Sequence, residues 1–385
     1  MVSLFADVAS EMLYPVMPIY LQSIGFSVLL IGILEGVAEA TAGLSKGYFG
    51  KLSDRKGVRL PFVRLGYFLA ALSKPMLALF TFPAWIFGAR TMDRLGKGIR
   101  TGARDALLSD EATPETKGAV FGFHRGMDTL GAVIGPSIAL LYLYYAPAQY
   151  KPLFYIAFFP GIVSVALLFI LKEKKKDAQA KPAKNGTYNF FSFLSYWKES
   201  NWQYKKLVGG LLLFTLFNSS DYFLLLKMKA AGLNDTHVIG VYIFYNVFYA
   251  LFSYPLGALG DKIGLKNVLL GGLLIFAAVY FGMAYNNSLL VFFLLFLLYG
   301  VYAAATDGVS TAWISNLSDK KDTATAIGIF KAFQSICTMI ASSLAGFIWY
   351  EYGAKPVFII SSIVTVFVFF YLLVGFWNKD ETAKQ

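Results

Sequence analysis

Acidic side chains occur inside long apolar stretches of this 385-residue chain. Asp7 and Glu11 are four residues apart in the first stretch, and Glu35 and Glu39 repeat that spacing in the second. Each pair therefore falls on one face of a helix. Two neighbouring carboxylates repel each other when both are ionised, so one of them can take up and release a proton. The pattern predicts residues that bind protons or a substrate. Solvation of Asp7 at a cavity mouth, or a structural ion pair for Glu35 or Glu39, would explain the same pattern without a proton.

Further ionisable candidates lie in later apolar stretches. A charged group inside a membrane-spanning helix costs at least about 2.5–3.5 kcal/mol and normally faces a cavity or a partner. Arg90 has the planar fork that suits carboxylate or phosphate, and it or Lys74 is a possible partner for an acid of the second stretch. For Asp93, which has arginines nearby in sequence, an ion pair is the plainer role. Asp221 and Asp307 stand in mostly apolar surroundings and are predicted cavity residues.

The elements that carry these side chains must be membrane-spanning helices. Hydrophobic residues make up 57% of the chain and charged residues 15%, against about 45–50% and about 25% in soluble domains. This composition excludes a soluble enzyme, a disordered chain and a disulfide scaffold. A phosphate-binding loop, a nucleophile elbow and a clustered His/Cys metal set are absent from the sequence. We therefore expect no enzyme activity, no cofactor and no metal centre.

The apolar stretches predict twelve spans, since twelve helices of about 20 residues use roughly 240 residues. The predicted spans cover 3–24, 27–50, 60–82, 84–108, 118–146, 151–172, 203–227, 236–260, 266–285, 288–316, 322–348 and 354–377. They form two halves, 1–172 and 203–378, which are joined by a cytoplasmic linker at 173–202 and followed by a tail at 379–385. The first stretch is predicted to be a retained helix rather than a signal peptide.

The net charge of +11 is explained by the concentration of Lys and Arg on the cytoplasmic side of the predicted helices. With both termini in the cytoplasm, most of the 34 Lys and Arg fall in cytoplasmic loops, the linker and the tail. The exceptions in outside loops are Lys151, Lys227, Lys229 and Lys355. This asymmetry predicts a multi-pass protein of the inner (cytoplasmic) membrane, with the lipid bilayer rather than nucleic acid as its partner.

The two halves share an internal repeat. Asp54, Arg55 and Gly57 recur 207 positions later as Asp261, Lys262 and Gly264. The glycines permit a tight turn, the acid accepts hydrogen bonds and the cations favour the cytoplasmic face. Two similar six-span halves are a known transporter plan, with the substrate site between them.

The segment Gly50–Arg59 resembles the signature loop of the major facilitator superfamily, G-x-L-x-D-R-x-G-x-R/K. This resemblance implies that Asp54 and Arg55, together with Arg59, form an intracellular latch that steadies an outward-open state. The second copy of the loop extends the gating role to Asp261 and Lys262. A topogenic basic loop with an ordinary turn would also account for the segment.

Two further motifs resemble those of twelve-span drug:proton antiporters. The first is Pro15-Val-Met-Pro18. The second is the helix-packing run Gly122, Gly131, Gly135 and Pro136, which resembles the antiporter motif of exporters, although generic close packing would use the same residues. On the same helix, Asp128 is within reach of Arg125 and His124, and the three are predicted to form a cytoplasmic gate network.

The sequence predicts an all-α membrane protein with twelve transmembrane helices in two pseudo-symmetric six-helix bundles. The leading functional prediction is proton-coupled efflux of small amphipathic or cationic organic molecules by alternating access, carried out by a monomer and energised by a proton gradient. Proton symport of a sugar or organic acid is the runner-up. Transport of a metal or siderophore comes third, and a membrane receptor without transport activity comes last.

Overall fold

The computed structural model describes residues 1–26, 28–147, 149–172, 193–219, 221–233 and 235–376. Within these ranges the chain forms α-helices joined by short turns, and no strand is present. Most of the predicted linker and the whole predicted tail lie outside the described residues. The helices are α1 (Val2–Leu13), α2 (Met17–Ser23), α3 (Val28–Lys56), α4 (Leu60–Leu79), α5 (Pro83–Asp110), α6 (Lys117–Tyr145), α7 (Tyr150–Ile170), α8 (Ser195–Glu199), α9 (Trp202–Phe217), α10 (Tyr222–Ala230), α11 (Asp235–Ile263), α12 (Leu265–Tyr285), α13 (Leu289–Leu317), α14 (Thr323–Tyr352) and α15 (Ala354–Gly375).

Each predicted span corresponds to a helix or to a pair of helices. Ten of them are continuous, and seven of the described helices are long and apolar enough to cross a membrane: α4, α6, α7, α12, α13, α14 and α15. The first and seventh predicted spans are each divided, α1 from α2 and α9 from α10. All four of these shorter helices have fewer than 18 residues.

The two interruptions fall at corresponding places in the repeat. The first follows Leu13 at Tyr14-Pro15-Val16, where proline lacks the amide hydrogen that a helix requires. The second begins at Asn218, whose backbone leaves the helical region (φ −93°, ψ 94°), and ends at Asp221. Interrupted helices at matching positions of two repeats are a pointer to a transporter's binding site.

The helices divide into two compact units. Unit 1 consists of Met1–Glu111, Met127–Lys198 and Asp319–Ser335, and unit 2 consists of Ala112–Gly126, Glu199–Ser318 and Ile336–Gln385. This division follows the two sequence halves, except that the beginnings of α6 and α14 are each grouped with the other half of the sequence. The reason is that each of these helix ends packs against a signature loop of that other half.

The pattern of helix packing repeats between the units. In unit 1 the main pairs are α3 with α5, α4 with α5, α4 with α7 and α1 with α7. In unit 2 the equivalent pairs are α11 with α13, α12 with α13, α12 with α15 and α9 with α15. The internal repeat of the sequence is therefore also a repeat of packing.

Close helix approach fixes α5 between its neighbours in unit 1. A Cβ atom on Gly66 of α4 would lie 2.5 Å from the carbonyl oxygen of Gly96, and one on Gly96 would lie 2.6 Å from that of Gly66. Two residues later, on the opposite side of α5, a Cβ atom on Gly98 would lie 2.9 Å from the carbonyl oxygen of Ala42 in α3. Lys97 stands between these two glycines on an exposed part of the helix.

Part of the predicted linker forms structure. Phe193 is 2% exposed, and a Cβ atom on Gly47 of α3 would meet its ring at 2.6 Å. Ser195, the first residue of α8, accepts a 2.8 Å hydrogen bond from the Lys51 ammonium. Residues 193–195 of the predicted linker are therefore held on α3 of unit 1.

Candidate functional site

A polar cleft in unit 1 brings together several of the predicted charged residues. We call it the α5 cleft, because α5 supplies five of its side chains and the first helix and the turn after it supply the rest. It is lined by Asp7, Ser10, Glu11, Tyr14, Arg90, Asp93, Arg94, Lys97 and Arg100. Four of the residues predicted from sequence to serve the cavity, Asp7, Glu11, Arg90 and Asp93, therefore share one site.

The cations of this cleft form a row along one helix face. Arg90, Arg94, Lys97 and Arg100 recur at intervals of three or four residues, which is the spacing of side chains on one face of an α-helix. The packing of Gly96 against α4 and of Gly98 against α3 sets the rotation of α5. That rotation turns the row into the cleft.

Asp93 forms ion pairs with two cations, Lys74 of α4 and Arg90 of α5. Its carboxylate accepts a 2.5 Å hydrogen bond from the Lys74 ammonium and lies 3.5 Å from the Arg90 guanidinium. Ser73 donates a third, 3.3 Å hydrogen bond. All three charged side chains are buried. Lys74 and Arg90, which the sequence offered as possible partners of the second-span acids, are paired with Asp93 in the structure.

The two acids of the second predicted span lie on α3. The Glu35 side chain lies outside the described residues, so its pairing stays a prediction. Glu39 is on an exposed part of α3 and interacts electrostatically with Lys46 of the same helix and Lys97 of α5. It therefore belongs to the surroundings of the α5 cleft, although it does not line it.

Asp7 faces charges of both signs. Its carboxylate is 4.0 Å from the Arg100 guanidinium and interacts electrostatically with Asp128 and Glu11. Arg100 is held in place by the ring of Tyr67, whose centroid is 4.1 Å from the guanidinium carbon. Asp7 is therefore placed between a cation and two other carboxylates.

The glycine motif of α6 brings Asp128 to α1. A Cβ atom on Gly131 would lie 2.9 Å from that of Asp7, and one on Gly135 would lie 2.6 Å from the Val8 carbonyl oxygen. Pro136 is inside α6 without ending it. Asp128 is one turn before Gly131, so the close approach of the helices explains its interaction with Asp7.

The beginning of α6 lies in unit 2, where Gly122 and Arg125 have separate roles. A Cβ atom on Gly122 would lie 3.2 Å from the Cα of Gly257, so this glycine packs against α11. Arg125 approaches Asp307 of α13 at 3.8 Å. The predicted gate network of His124, Arg125 and Asp128 thus has a member that pairs with a predicted cavity acid.

The two acids of the second half are held by tyrosines in unit 2. Asp221, at the interruption before α10, accepts a 2.6 Å hydrogen bond from the Tyr299 hydroxyl. Asp307 accepts a 2.6 Å hydrogen bond from the Tyr249 hydroxyl. The ring of Tyr245 packs against Tyr299 at 5.1 Å and against Tyr249 at 6.0 Å, so the tyrosine partners of the two carboxylates belong to one aromatic cluster.

The signature loop of the first half caps a helix of the second half. Asp54 accepts hydrogen bonds from the Thr325 amide and hydroxyl, both 2.6 Å, and from the Ala324 amide at 3.3 Å. Arg59 forms an ion pair with Asp54 and is buried. Arg55 is exposed. The first amides of a helix have no acceptor within the helix, and its N-terminus carries a positive partial charge. The Asp54 carboxylate accepts hydrogen bonds from these amides of α14 and balances that charge.

The second loop repeats this arrangement on α6. Asp261 accepts 2.7 Å hydrogen bonds from the amides of Gly118 and Ala119, while Lys262 is exposed. Gly57 and Gly264, which close the two loops, both have positive φ, 64° and 96°. The repeated sequence thus encodes the same turn and the same helix cap twice.

Several residues of these sites were absent from the sequence-based prediction. The row of Arg94, Lys97 and Arg100 carries a readable signal in its helical spacing. The tyrosine partners of Asp221 and Asp307 carry none, because they come from other helices. Among the described residues, no group of three or more His, Cys, Asp or Glu is arranged to hold a metal ion.

Comparison with known proteins places the chain in a family. The sequence profile of the Major Facilitator Superfamily matches residues 1–245 and 228–385. An uncharacterized MFS-type transporter of Methanocaldococcus jannaschii is 32% identical over 374 residues, which are 94% of this chain and 90% of that protein. The multidrug resistance protein MdtG of Proteus mirabilis is 27% identical over 389 residues, covering 95% and 92% of the two chains.

The fold agrees with this assignment. The human organic anion transporter MFSD10 superimposes with a TM-score of 0.81 over 96% of this chain and 97% of that one, and the two sequences are 17% identical. At that identity the likeness concerns the fold alone. The chain therefore belongs to the Major Facilitator Superfamily and has its all-helical fold: it is a multi-pass membrane transporter rather than an enzyme.

Proposed function

We propose that this transporter is proton-coupled and that Asp7 is the group that binds the transported proton. The observation that carries this proposal is the position of Asp7 between Arg100 and the carboxylates Glu11 and Asp128. Ionised carboxylates close together repel, and binding of one proton removes the repulsion. A proton on Asp7 also releases Arg100 from its ion pair, so the protonation state changes the charge that the cleft presents.

The transport cycle belongs to the same proposal. We place twelve spans in two six-helix bundles, with both termini in the cytoplasm, in the inner membrane, and a monomer as the working unit. The repeated helix packing of the two units supports the two-bundle plan. The two carboxylate-capped helix ends support gating by the signature loops, because breaking either cap exposes the amides of a helix N-terminus.

The test uses the purified protein in proteoliposomes with an internal pH dye, under an imposed proton gradient. We expect a transported small organic molecule, added outside, to change the internal pH. Asp7→Asn should abolish that change while the labelled molecule still equilibrates. Glu115→Gln, an exposed acid in the loop before α6, is the control and should behave as the unmodified protein. Full proton coupling in Asp7→Asn would overturn the proposal.

Export by antiport is the second candidate, and it concerns the direction of transport. The name of the Proteus mirabilis relative, a multidrug resistance protein, favours it. The same dye separates the two directions. A solute that enters with protons acidifies the lumen, whereas a solute that exchanges for protons makes it alkaline. This sign is independent of how the protein is inserted in the vesicle.

The sequence predicts small amphipathic or cationic organic molecules as substrates. That prediction rested on acid-rich cavity faces. The α5 cleft contains the acids expected from the first helix, but the cations of the row on α5 outnumber them. The excess of positive charge in the α5 cleft therefore argues against a cationic substrate.

A further inference from the structure

The α5 cleft has more positive than negative side chains. Its lining contains four cations and three carboxylates. One of the carboxylates, Asp93, is already matched by Lys74, which lies behind the lining. The remaining cations therefore exceed the remaining acids, and the excess grows by one charge when Asp7 is protonated.

Arg100 has a donor that the described protein does not satisfy. The side chain is 4% exposed, and its Nε has no hydrogen-bond partner among the described residues. Its guanidinium is fixed by the Tyr67 ring on one side and by the 4.0 Å approach to Asp7 on another. Buried donors normally have an acceptor, so a molecule in the cleft that supplies one would complete the site.

Arg94 and Lys97 lie on the same face of α5 as Arg100. The Nε of Arg94 likewise has no hydrogen-bond partner within the part of the chain that the structure describes. Lys97 is exposed to the cleft and is held between the packed glycines 96 and 98. A guanidinium offers two parallel donors to an oxyanion and an ammonium offers a compact charge. Together they suit a carboxylate, sulfonate or phosphate group.

We propose that Arg94, Lys97 and Arg100 bind the anionic group of the transported molecule, so that the substrate class is small organic anions. The link between proton and anion rests on the proposed function, in which Asp7 binds the proton, whereas the anion site itself does not depend on that proposal. The occupant is defined by its charge and by an oxyanion geometry.

Arg100 links proton binding to substrate binding, because it contacts both Asp7 and the proposed anion site. Asp7 and the anion compete for Arg100, since both are negative and both approach its guanidinium. A proton on Asp7 removes the competitor, so proton and anion bind together and cross in the same direction. The charged groups that interact with Asp7 are Glu11 of α1, Lys97 and Arg100 of α5, and Asp128 of α6. Arg90, Asp93 and Arg94 of α5 line the same cleft.

The experiment is calorimetric binding to the full-length protein in nanodiscs with three probes of similar size. Benzenesulfonate is an anion at every pH used, benzyltrimethylammonium is a cation and benzyl alcohol is neutral. We expect benzenesulfonate alone to bind, and to bind more tightly at pH 6 than at pH 9. Lys97→Gln and Arg94→Gln should each weaken its binding by about tenfold or more, because each removes a charge-assisted hydrogen bond.

The controls separate charge from folding. Lys151→Gln changes an exposed cation of the same unit away from the cleft and should leave affinity unchanged. Lys97→Glu keeps an ionised side chain at an exposed position and should abolish benzenesulfonate binding. Arg100→Gln is the stronger test for the buried cation, and its thermal unfolding is compared with that of the unmodified protein before its affinity is interpreted.

Three outcomes would each overturn a different claim. Binding of benzyltrimethylammonium in preference to benzenesulfonate would overturn the anion class. Benzenesulfonate binding that is unaffected by Lys97→Gln and Arg94→Gln would place the anion elsewhere. Tight anion binding whose pH dependence survives in Asp7→Asn would refute the proposed proton site while leaving the anion site intact.

Discussion

Asp54 accepts two 2.6 Å hydrogen bonds from Thr325, one from its amide and one from its hydroxyl, although 271 positions separate the residues in sequence. The equivalent acid, Asp261, accepts from two amides at the start of α6. In each case the acid of a signature loop neutralises the N-terminus of a helix from the other half of the sequence. We propose that the latch implied by the family resemblance takes this physical form, a carboxylate cap on a helix N-terminus.

Removing this charge should loosen the beginning of α14. Asp54→Asn keeps one acceptor oxygen but loses the charge that the helix terminus favours, at an expected cost of about 0.5–2 kcal/mol. Hydrogen exchange followed by mass spectrometry should show faster exchange in the peptide that contains Ala324 and Thr325. Asp261→Asn should have the same effect at Gly118 and Ala119.

The matched control is the exposed neighbour in each loop. Arg55→Gln and Lys262→Gln change the charge of the same loops without touching a capped amide. They should leave exchange at α14 and α6 unchanged. If Arg55→Gln raises exchange as much as Asp54→Asn does, the effect belongs to the loop's general charge and the cap is not its cause.

The ion pair of Lys74 and Asp93 should be expensive to break from one side. Lys74→Met leaves the buried Asp93 with the more distant Arg90 and the weak hydrogen bond from Ser73, and the expected cost is about 3–5 kcal/mol of unfolding free energy. The double variant Lys74→Met/Asp93→Leu removes both charges and should recover most of the loss. Unfolding by SDS in mixed micelles measures both. Equal destabilisation by the single and double variants would contradict this prediction.

The tyrosine hydrogen bonds of unit 2 should each stabilise an acid. Tyr249→Phe removes the 2.6 Å bond to Asp307, and Tyr299→Phe removes the equivalent bond to Asp221. Each change should lower the unfolding free energy by about 1–3 kcal/mol, as for a hydrogen bond to a charged group. Tyr350→Phe, at a position 85% exposed, is the control and should have no effect. A loss of similar size in the control would show that the hydroxyl contacts are not responsible.

The sequence predicted elements more completely than it predicted partners. Apolar length located the helices, and the repeat located both capping acids, because these signals are contiguous in the chain. The capped amides at Thr325 and Gly118 were not predicted, since a helix start gives no sign of which distant carboxylate it meets. The breaks between α1 and α2 and between α9 and α10 were not predicted either. Pro15 is a sequence signal for the first break, whereas Asn218 and Asp221 give no comparable signal for the second.

The net charge of the α5 cleft was also beyond prediction from the sequence. The spacing of Arg94, Lys97 and Arg100 is visible in the sequence as one helix face. Which way that face points depends on the contacts of Gly96 and Gly98 with two other helices. The excess of positive charge, and with it the preference for an anion, therefore follows only from the packed structure.

The glycine motif of α6 holds Asp128 beside Asp7, and substitution within it should disturb both packing and transport. A Cβ atom on Gly135 would lie 2.6 Å from the Val8 carbonyl oxygen and 2.7 Å from the Met12 amide nitrogen. Both are backbone atoms of α1, so they cannot move aside as a side chain would. Gly135→Ala should therefore separate α1 from α6 and lower the unfolding free energy by about 1–3 kcal/mol.

Gly271 of α12 offers the matched control, since it is also inside a helix but a Cβ atom there would meet nothing within 4 Å. Gly271→Ala should stabilise the protein by about 0.5–1 kcal/mol through helix propensity alone. The same SDS titration measures both variants, and opposite signs are expected. Proton-coupled transport should also fall in Gly135→Ala and persist in Gly271→Ala, because only the first change moves Asp128 away from Asp7. Equal effects of the two substitutions would show that the motif is ordinary helix sequence with no packing role.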